Sequence, residues 1–142
     1  MRPAARNWFL VVLLLVFLFL VFFFLNFQRV VVKGISMYPT FEPNQRILVC
    51  KALWLVGQPK KGDLVVLKRQ EEGEYLVKRV AFVEGETVDR SLQPEKWSFV
   101  DGPYVVPEGH IFVLGDNLSN SEDSRSFGAV PLSTVLGKVV GR

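Results

Sequence analysis

The sequence predicts a mainly β fold, an irregular β sandwich or barrel, preceded by one N-terminal transmembrane α-helix. The helix rests on the run from Trp8 to Leu25, which contains no charge, glycine or proline. The β domain rests on the residues beyond that run. There, short β-branched apolar runs are separated by Gly, Pro and Asn, and none keeps a helical period.

At about 1.5 Å per residue the apolar run reaches roughly 27 Å as a helix, close to the hydrocarbon thickness of a bilayer. A helix buried in a soluble core is seldom apolar all round. A cleaved signal peptide is the competing reading, since the run comes after Arg2 and Arg6. Its apolar core is long for that role, and Asn26-Phe27-Gln28-Arg29 holds no small-x-small cleavage site. Residues 1–27 are therefore expected to form a cytoplasmic stub and anchor, and residues 28–142 the β domain. Arg2, Arg6 and the amino terminus face Arg29 and Lys33 across the run, so flanking charge is nearly balanced. Long domains translocate largely regardless of charge, which favours a cytoplasmic N-terminus and an extracytoplasmic domain.

The expected strands run in order along the chain. Arg29–Val32 leads out of the anchor, and Arg46–Cys50 comes after the turn signal Glu42-Pro43-Asn44. Gly62-Asp63 introduces Leu64–Leu67, and the charged turn from Arg69 to Glu74 introduces Tyr75–Val83. Tyr104–Val106, His110–Leu114 and Val135–Val140 complete the set. Roughly seven or eight short strands at this spacing imply a sandwich or barrel. Residues 84–103 are richer in turns and charge and read as an excursion on the domain.

The formal net charge of +3 is too weak to argue for nucleic acid. Lys60-Lys61 and Lys68-Arg69 are either solvated or near anionic lipid. The single cysteine, Cys50, rules out an intramolecular disulfide and reads as a buried, inert thiol. The single histidine, His110, has no cluster of ligands around it, so no metal is expected.

Three segments carry chemistry. Gly34-Ile35-Ser36-Met37-Tyr38-Pro39-Thr40 offers a serine in a tight Gly/Pro-framed turn shortly beyond the anchor. A serine hydroxyl is a weak nucleophile and needs a base within hydrogen-bond reach. His110 sits in a turn entering a strand and reads as a structural or surface histidine; lysine is the alternative base, as in Ser-Lys variants. A catalytic lysine must be neutral, and desolvation lowers its pKa most readily. Lys78 fits better than the other lysines, because strand alternation puts Leu76 and Val80 on its own face and Val77 and Arg79 on the other. A snorkelling strand lysine is the plainer alternative. The third segment, Gly115 to Arg125, is either a solvated loop with Asx turns or a support for the lysine. There a serine could orient the amine, and Asp–Arg pairs could fix the loop.

Together Ser36-Met37-Tyr38-Pro39-Thr40, Lys78-Arg79-Val80 and Gly115-Asp116-Asn117…Asn120-Ser121…Asp123-Ser124-Arg125…Gly128 resemble the type I signal peptidase (bacterial leader peptidase) family. Gly62-Asp63-Leu64-Val65-Val66 matches a further, less diagnostic box. With the anchor, the resemblance covers nearly the whole chain in the family's order. It implies a membrane-bound serine endopeptidase without cofactor, with Ser36 as nucleophile and Lys78 as general base. It further implies that Ser121 orients Lys78, and that Asp116 with Arg79 and Asp123 with Arg125 brace the site. The Ser36 amide would supply one oxyanion donor. Some relatives supply another from a serine two residues earlier, where this chain has Gly34. Glu84-Gly85-Glu86 also departs from the Pro-Gly-Asp of many relatives, in a turn beyond the base strand.

The implied substrates are exported preproteins with small residues at −1 and −3, cleaved at the plasma membrane beside the secretion translocon. Such a chain could add as a strand beside residues 30–36 and the strand holding Lys78. By motif-relative position, Val32, Met37, Phe41, Leu76 and Val77 are candidate pocket walls. Alternatives are a Ser-Lys protease dedicated to one precursor, of conjugation, pilus or mitochondrial inner-membrane type, and an inert membrane-tethered β domain that binds exported chains.

Overall fold

A computed structural model describes residues 3–69 and 74–141. Helix α1 spans Pro3–Asn26. Within it Asn7–Asn26 is long and apolar enough to cross a membrane, and none of that stretch is buried in the protein. Asn26 ends the helix: its side-chain amide donates to the Phe22 carbonyl at 2.8 Å. The Asn26 carbonyl, left orphaned by the end of the helical ladder, accepts from the Lys51 N–H at 2.7 Å. Phe23 stacks on Phe27 at 4.7 Å, so the helix passes directly into the first strand.

The strands are β1 (Phe27–Val31), β2 (Arg46–Cys50), β3 (Leu64–Lys68), β4 (Tyr75–Val83), β5 (His110–Leu114), β6 (Val130–Pro131) and β7 (Val135–Gly141), with short helices α2 (Leu53–Val56) and α3 (Ser124–Phe127). They form one seven-stranded sheet in the order β1-β2-β7-β3-β4-β5-β6, antiparallel at every pairing. Three strands separate β1 from β4 in that order, yet Gln28 reaches the Tyr75 hydroxyl at 3.4 Å and Lys33 reaches Glu74 at 2.9 Å. The sheet therefore curls until β1 lies alongside the start of β4. The mainly β expectation is met by this curled, open sheet.

Strand alternation sorts the core. One cluster inside the curl holds Val30, Val32, Met37, Phe41, Ile47, Val49, Val66 and Val77. The opposite face holds Val65, Leu67, Val80, Ile111, Val113 and Val135. A third cluster, Phe82, Val88, Val106 and Phe112, pins down the 84–103 excursion. Cys50 is buried, as expected.

One expected strand does not form. Tyr104–Val106 contributes a single bridge, Thr87 to Val105. Pro103 and Pro107 flank it, and neither has an N–H to extend a ladder. Two short elements, β6 and α2, lack the length for a periodic signal.

Candidate active site

The serine segment is held from three sides. Gly34 has φ +72°, in the left-handed region that favours glycine, with open space where a side chain would project. Beyond it, Met37 and Phe41 are buried, tying the turn to the core. The Tyr38 N–H donates to the Ile35 carbonyl at 3.1 Å and the Phe41 N–H to the Met37 carbonyl at 3.0 Å. From the opposite side, Asn117 donates its backbone N–H to the Ser36 carbonyl at 2.9 Å and its side-chain amide to the Ile35 carbonyl at 3.1 Å. The Thr40 hydroxyl donates to the Asp116 carboxylate.

Lys78 lies in the middle of β4 and is 2% exposed. Its cross-strand partner is Val65, and the cluster on that face contains Val80 with Leu76 packed against it. The ammonium end donates to Ser121 Oγ at 3.2 Å. Burial pushes its pKa down from the ordinary lysine value; Asp123 and Glu122 pull it back up, and Arg125 adds to the fall. Lys138 provides a contrast within the same protein. Its amine is committed to the Asp63 carboxylate at 2.7 Å and the Val56 carbonyl at 3.0 Å. Lys78 has a hydroxyl partner in place of a carboxylate, an environment suited to a neutral amine.

Two Asp–Arg forks frame this lysine. Arg79 holds Asp116 through Nε and Nη2, each at 2.8 Å, and donates Nη1 to the Gly62 carbonyl at 2.9 Å. The Arg79 fork holds the Asp116 carboxyl below the usual carboxylate range against burial, with help from Thr40. Asp123 is fully buried. It accepts from Arg125 Nε at 2.9 Å and Nη2 at 3.0 Å, from the Gly115 N–H at 3.0 Å and from the Arg125 N–H at 3.2 Å. Burial raises its pKa, but these donors and the Ser121 hydroxyl outweigh burial and leave it lowered. The Arg125 N–H bond also caps α3. Buried Ser124 accepts from the Val113 N–H at 2.9 Å, anchoring the loop to β5.

The structure thus joins Lys78 to Ser121, Arg79 to Asp116 and Asp123 to Arg125, the pairs the sequence suggested. Ser36 joins the loop through its backbone. Among the described residues its hydroxyl makes no hydrogen bond, to Lys78 or to any other group, and its N–H has no acceptor. His110 stands at the other end of β5 from Gly115, with Nδ1 on the Glu108 carbonyl at 2.8 Å. Of the candidate pocket walls, Val32, Met37, Phe41 and Val77 share one cluster. Leu76 does not join them. It faces the other side of β4, as alternation requires, and lines a groove with Leu67, Phe127 and Val130.

Gly115, Thr40 and Asn117 carry more of the site than sequence reasoning assigned them. A Cβ on Gly115 would lie 2.1 Å from Ser121 Oγ and 2.6 Å from the Ser36 carbonyl oxygen. Gly115 is therefore where the serine segment, the lysine's partner and β5 meet. Only their place inside the matched motifs marked these residues.

A family model described as "Signal peptidase, peptidase S26" matches residues 5–96 and 89–142. The mitochondrial ATP-independent inner membrane protease subunit 1b of Arabidopsis thaliana is 40% identical over 111 residues, covering 77% of this chain and 65% of that protein. Signal peptidase I of Bacillus caldolyticus is 34% identical over 141 residues, covering 80% of this chain and 77% of that enzyme. A crystal structure of a signal peptidase I from Enterococcus faecalis V583 aligns with TM-score 0.43 at 26% identity, covering 58% of this chain and 97% of that one.

Proposed function

The chain belongs to the signal peptidase family, peptidase S26, and from that membership we propose that it is a membrane-anchored serine endopeptidase that removes signal peptides from exported preproteins. The observation that carries the chemistry is a strand lysine, 2% exposed, whose amine rests on a serine hydroxyl at 3.2 Å and, among the described residues, has no carboxylate partner.

In this reading Ser36 is the nucleophile and neutral Lys78 the general base. Lys78 takes the Ser36 proton as Oγ attacks the scissile carbonyl. The tetrahedral adduct collapses with cleavage of the C–N bond, and the proton passes from Lys78 to the departing amine of the mature chain. Lys78 then takes a proton from a water that attacks the ester carbonyl, and returns it to Ser36 Oγ as the ester C–O bond breaks; the signal peptide leaves as a carboxylic acid that ionises in water, and neutral Lys78 is restored. Ser121 orients the lysine amine. The Arg79–Asp116 and Arg125–Asp123 pairs hold the loop that carries it. The Ser36 N–H, without an acceptor among the described residues, serves in this reading as one oxyanion donor, and Gly34 offers no hydroxyl for a second.

Substrate can enter as a strand. β1 is an edge of the sheet, and β4 pairs with β5 only from Arg79 onward, so Tyr75–Lys78 keep one open backbone edge. Side chains at the Gln28–Tyr75 and Lys33–Glu74 contacts span the interval between these edges. Val32, Met37, Phe41 and Val77 fill the space beneath, which favours small residues at −1 and −3. Residues 1–27 form the anchor and residues 28–142 the catalytic domain. We assign the enzyme to the plasma membrane beside the translocon, with its N-terminus cytoplasmic and the domain outside. The identity to the plant protease supports a second reading, a mitochondrial inner-membrane processing peptidase with the same chemistry.

The test is cleavage of a preprotein in proteoliposomes. Ser36→Ala and Lys78→Ala should each abolish processing and keep the fold; wild-type cleavage by either variant rules out the dyad.

A further inference from the structure

The β1–β2 hairpin carries a second feature, unrelated to the serine. Arg29 pairs with Leu48 and Val31 with Arg46. Alternation therefore puts Arg29, Val31, Arg46 and Leu48 on one face, opposite the buried Val30, Ile47 and Val49. On that face the arginines are diagonal neighbours, about 7–8 Å apart. That separation lets two guanidinium groups close on a single phosphate. Both arginines are exposed. Neither has an ion-pair partner among the described residues.

An open groove of about 720 Å³ connects these arginines to the end of α1; Phe23, Phe24, Phe27 and Leu48 line its apolar part. Phe24 is 74% exposed on a helix long and apolar enough to cross a membrane. The groove therefore begins where acyl chains would lie and ends on two cations without an ion-pair partner among the described residues, Arg29 about 10 Å and Arg46, opposite Val31, about 17 Å of strand beyond the helix. A solvated ion would use only the cationic end. An apolar peptide would leave the arginines unmatched.

We propose that this groove binds one anionic glycerophospholipid, its phosphate held between Arg29 and Arg46 and its acyl chains against Phe23, Phe24 and Phe27. The site goes beyond the proteolytic reading and needs only that α1 lies in a bilayer. A lipid seated there ties the rotation of the β1–β2 hairpin to the membrane surface, and with it the edge strand beside the serine segment.

The experiment reconstitutes the full chain in phosphatidylcholine nanodiscs containing a minor fraction of phosphatidylglycerol, and counts the lipids that remain bound after detergent exchange. The wild type should retain phosphatidylglycerol over phosphatidylcholine by roughly thirtyfold, as two surface arginines allow. Arg29→Gln/Arg46→Gln should fall to the bulk ratio, while Lys60→Gln/Lys61→Gln should keep the enrichment. Photoactivatable phosphatidylglycerol on the wild type should mark peptides within residues 23–48, which tests the site without any substitution. Unchanged enrichment in the arginine variant, or adducts confined to other regions, overturns the proposal. Displacement by inorganic phosphate would make this a free-anion site, and displacement by a synthetic signal peptide would make it a substrate groove; either result overturns the lipid assignment. None of these readouts depends on proteolysis, so failure here is separate from failure of the dyad.

Discussion

The amine of Lys78 donates to the hydroxyl of Ser121 at 3.2 Å from a position only 2% exposed to solvent. A lysine so placed is a cost to the fold and, in the proposed mechanism, the source of its basicity toward Ser36. Burial lowers its pKa, so between the folded and unfolded pKa values the unfolded chain holds a proton that the folded chain does not. Stability is therefore greatest above the unfolded value, about 10.4, and falls as pH drops below it. Lys78→Met removes that penalty with little change of volume. It should abolish cleavage, raise Tm at neutral pH, and flatten the alkaline part of the stability profile in thermal melts. In the wild type, kcat/KM should rise with pH through the lowered Lys78 pKa. A rate flat through the acid range would argue against lysine as the base.

Gly115 gives a sharper steric test. Its missing Cβ leaves room for Ser121 Oγ, which would otherwise lie 2.1 Å away, and for the Ser36 carbonyl oxygen at 2.6 Å. Both are first displaced by Gly115→Ala. The variant should lose about 1–3 kcal/mol of stability to overpacking and lower kcat at least as far as Ser121→Ala does. Urea melts and steady-state kinetics would report both, and near wild-type turnover would deny that Gly115 sets the spacing.

Arg125 protects a fully buried carboxylate, that of Asp123. In the wild type the Asp123 pKa is lowered. Its contribution is thus present above the unfolded carboxylate pKa, about 3.9, and lost as pH falls through the folded value. Arg125→Ala leaves burial less opposed. It should cost about 3 kcal/mol and move acid unfolding to higher pH, measured by circular dichroism between neutral and acid pH. An unchanged acid midpoint would show that the Gly115 and Arg125 amides suffice.

Val77 tests the proposed pocket. It is 6% exposed within the cluster that holds Val32, Met37 and Phe41. Val77→Ala should cost about 2 kcal/mol and admit larger residues at −1 or −3, seen as a raised kcat/KM for preproteins carrying valine or leucine there. An unaltered preference would remove this cluster from the specificity site.

Much of this was legible in the sequence, for physical reasons that differ by element. The α1 span comes from its unbroken apolar run. The edges of β2, β4 and β5 come from Gly, Pro and charged turns. Strand alternation foretold the Lys78 face, with Leu76 and Val80 alongside. The same alternation separates Leu76 from Val77, and a wall set assigned by motif position overlooked it. The Tyr104–Val106 strand failed because two flanking prolines outweigh three residues of β propensity. What no pattern carried was the curl that brings Lys33 to Glu74, or the close approach at Gly115. Both depend on residues far apart in the chain and on space that an absent atom leaves.

The central claim is that Ser36 is the nucleophile and Lys78 makes it one. A serine-directed acylating probe, applied to the reconstituted full chain and located by peptide mass spectrometry, tests both halves together. The account predicts a single adduct on Ser36 that forms faster as pH rises and disappears in Lys78→Met. An adduct on another residue, or undiminished labelling of Ser36 without Lys78, would contradict it.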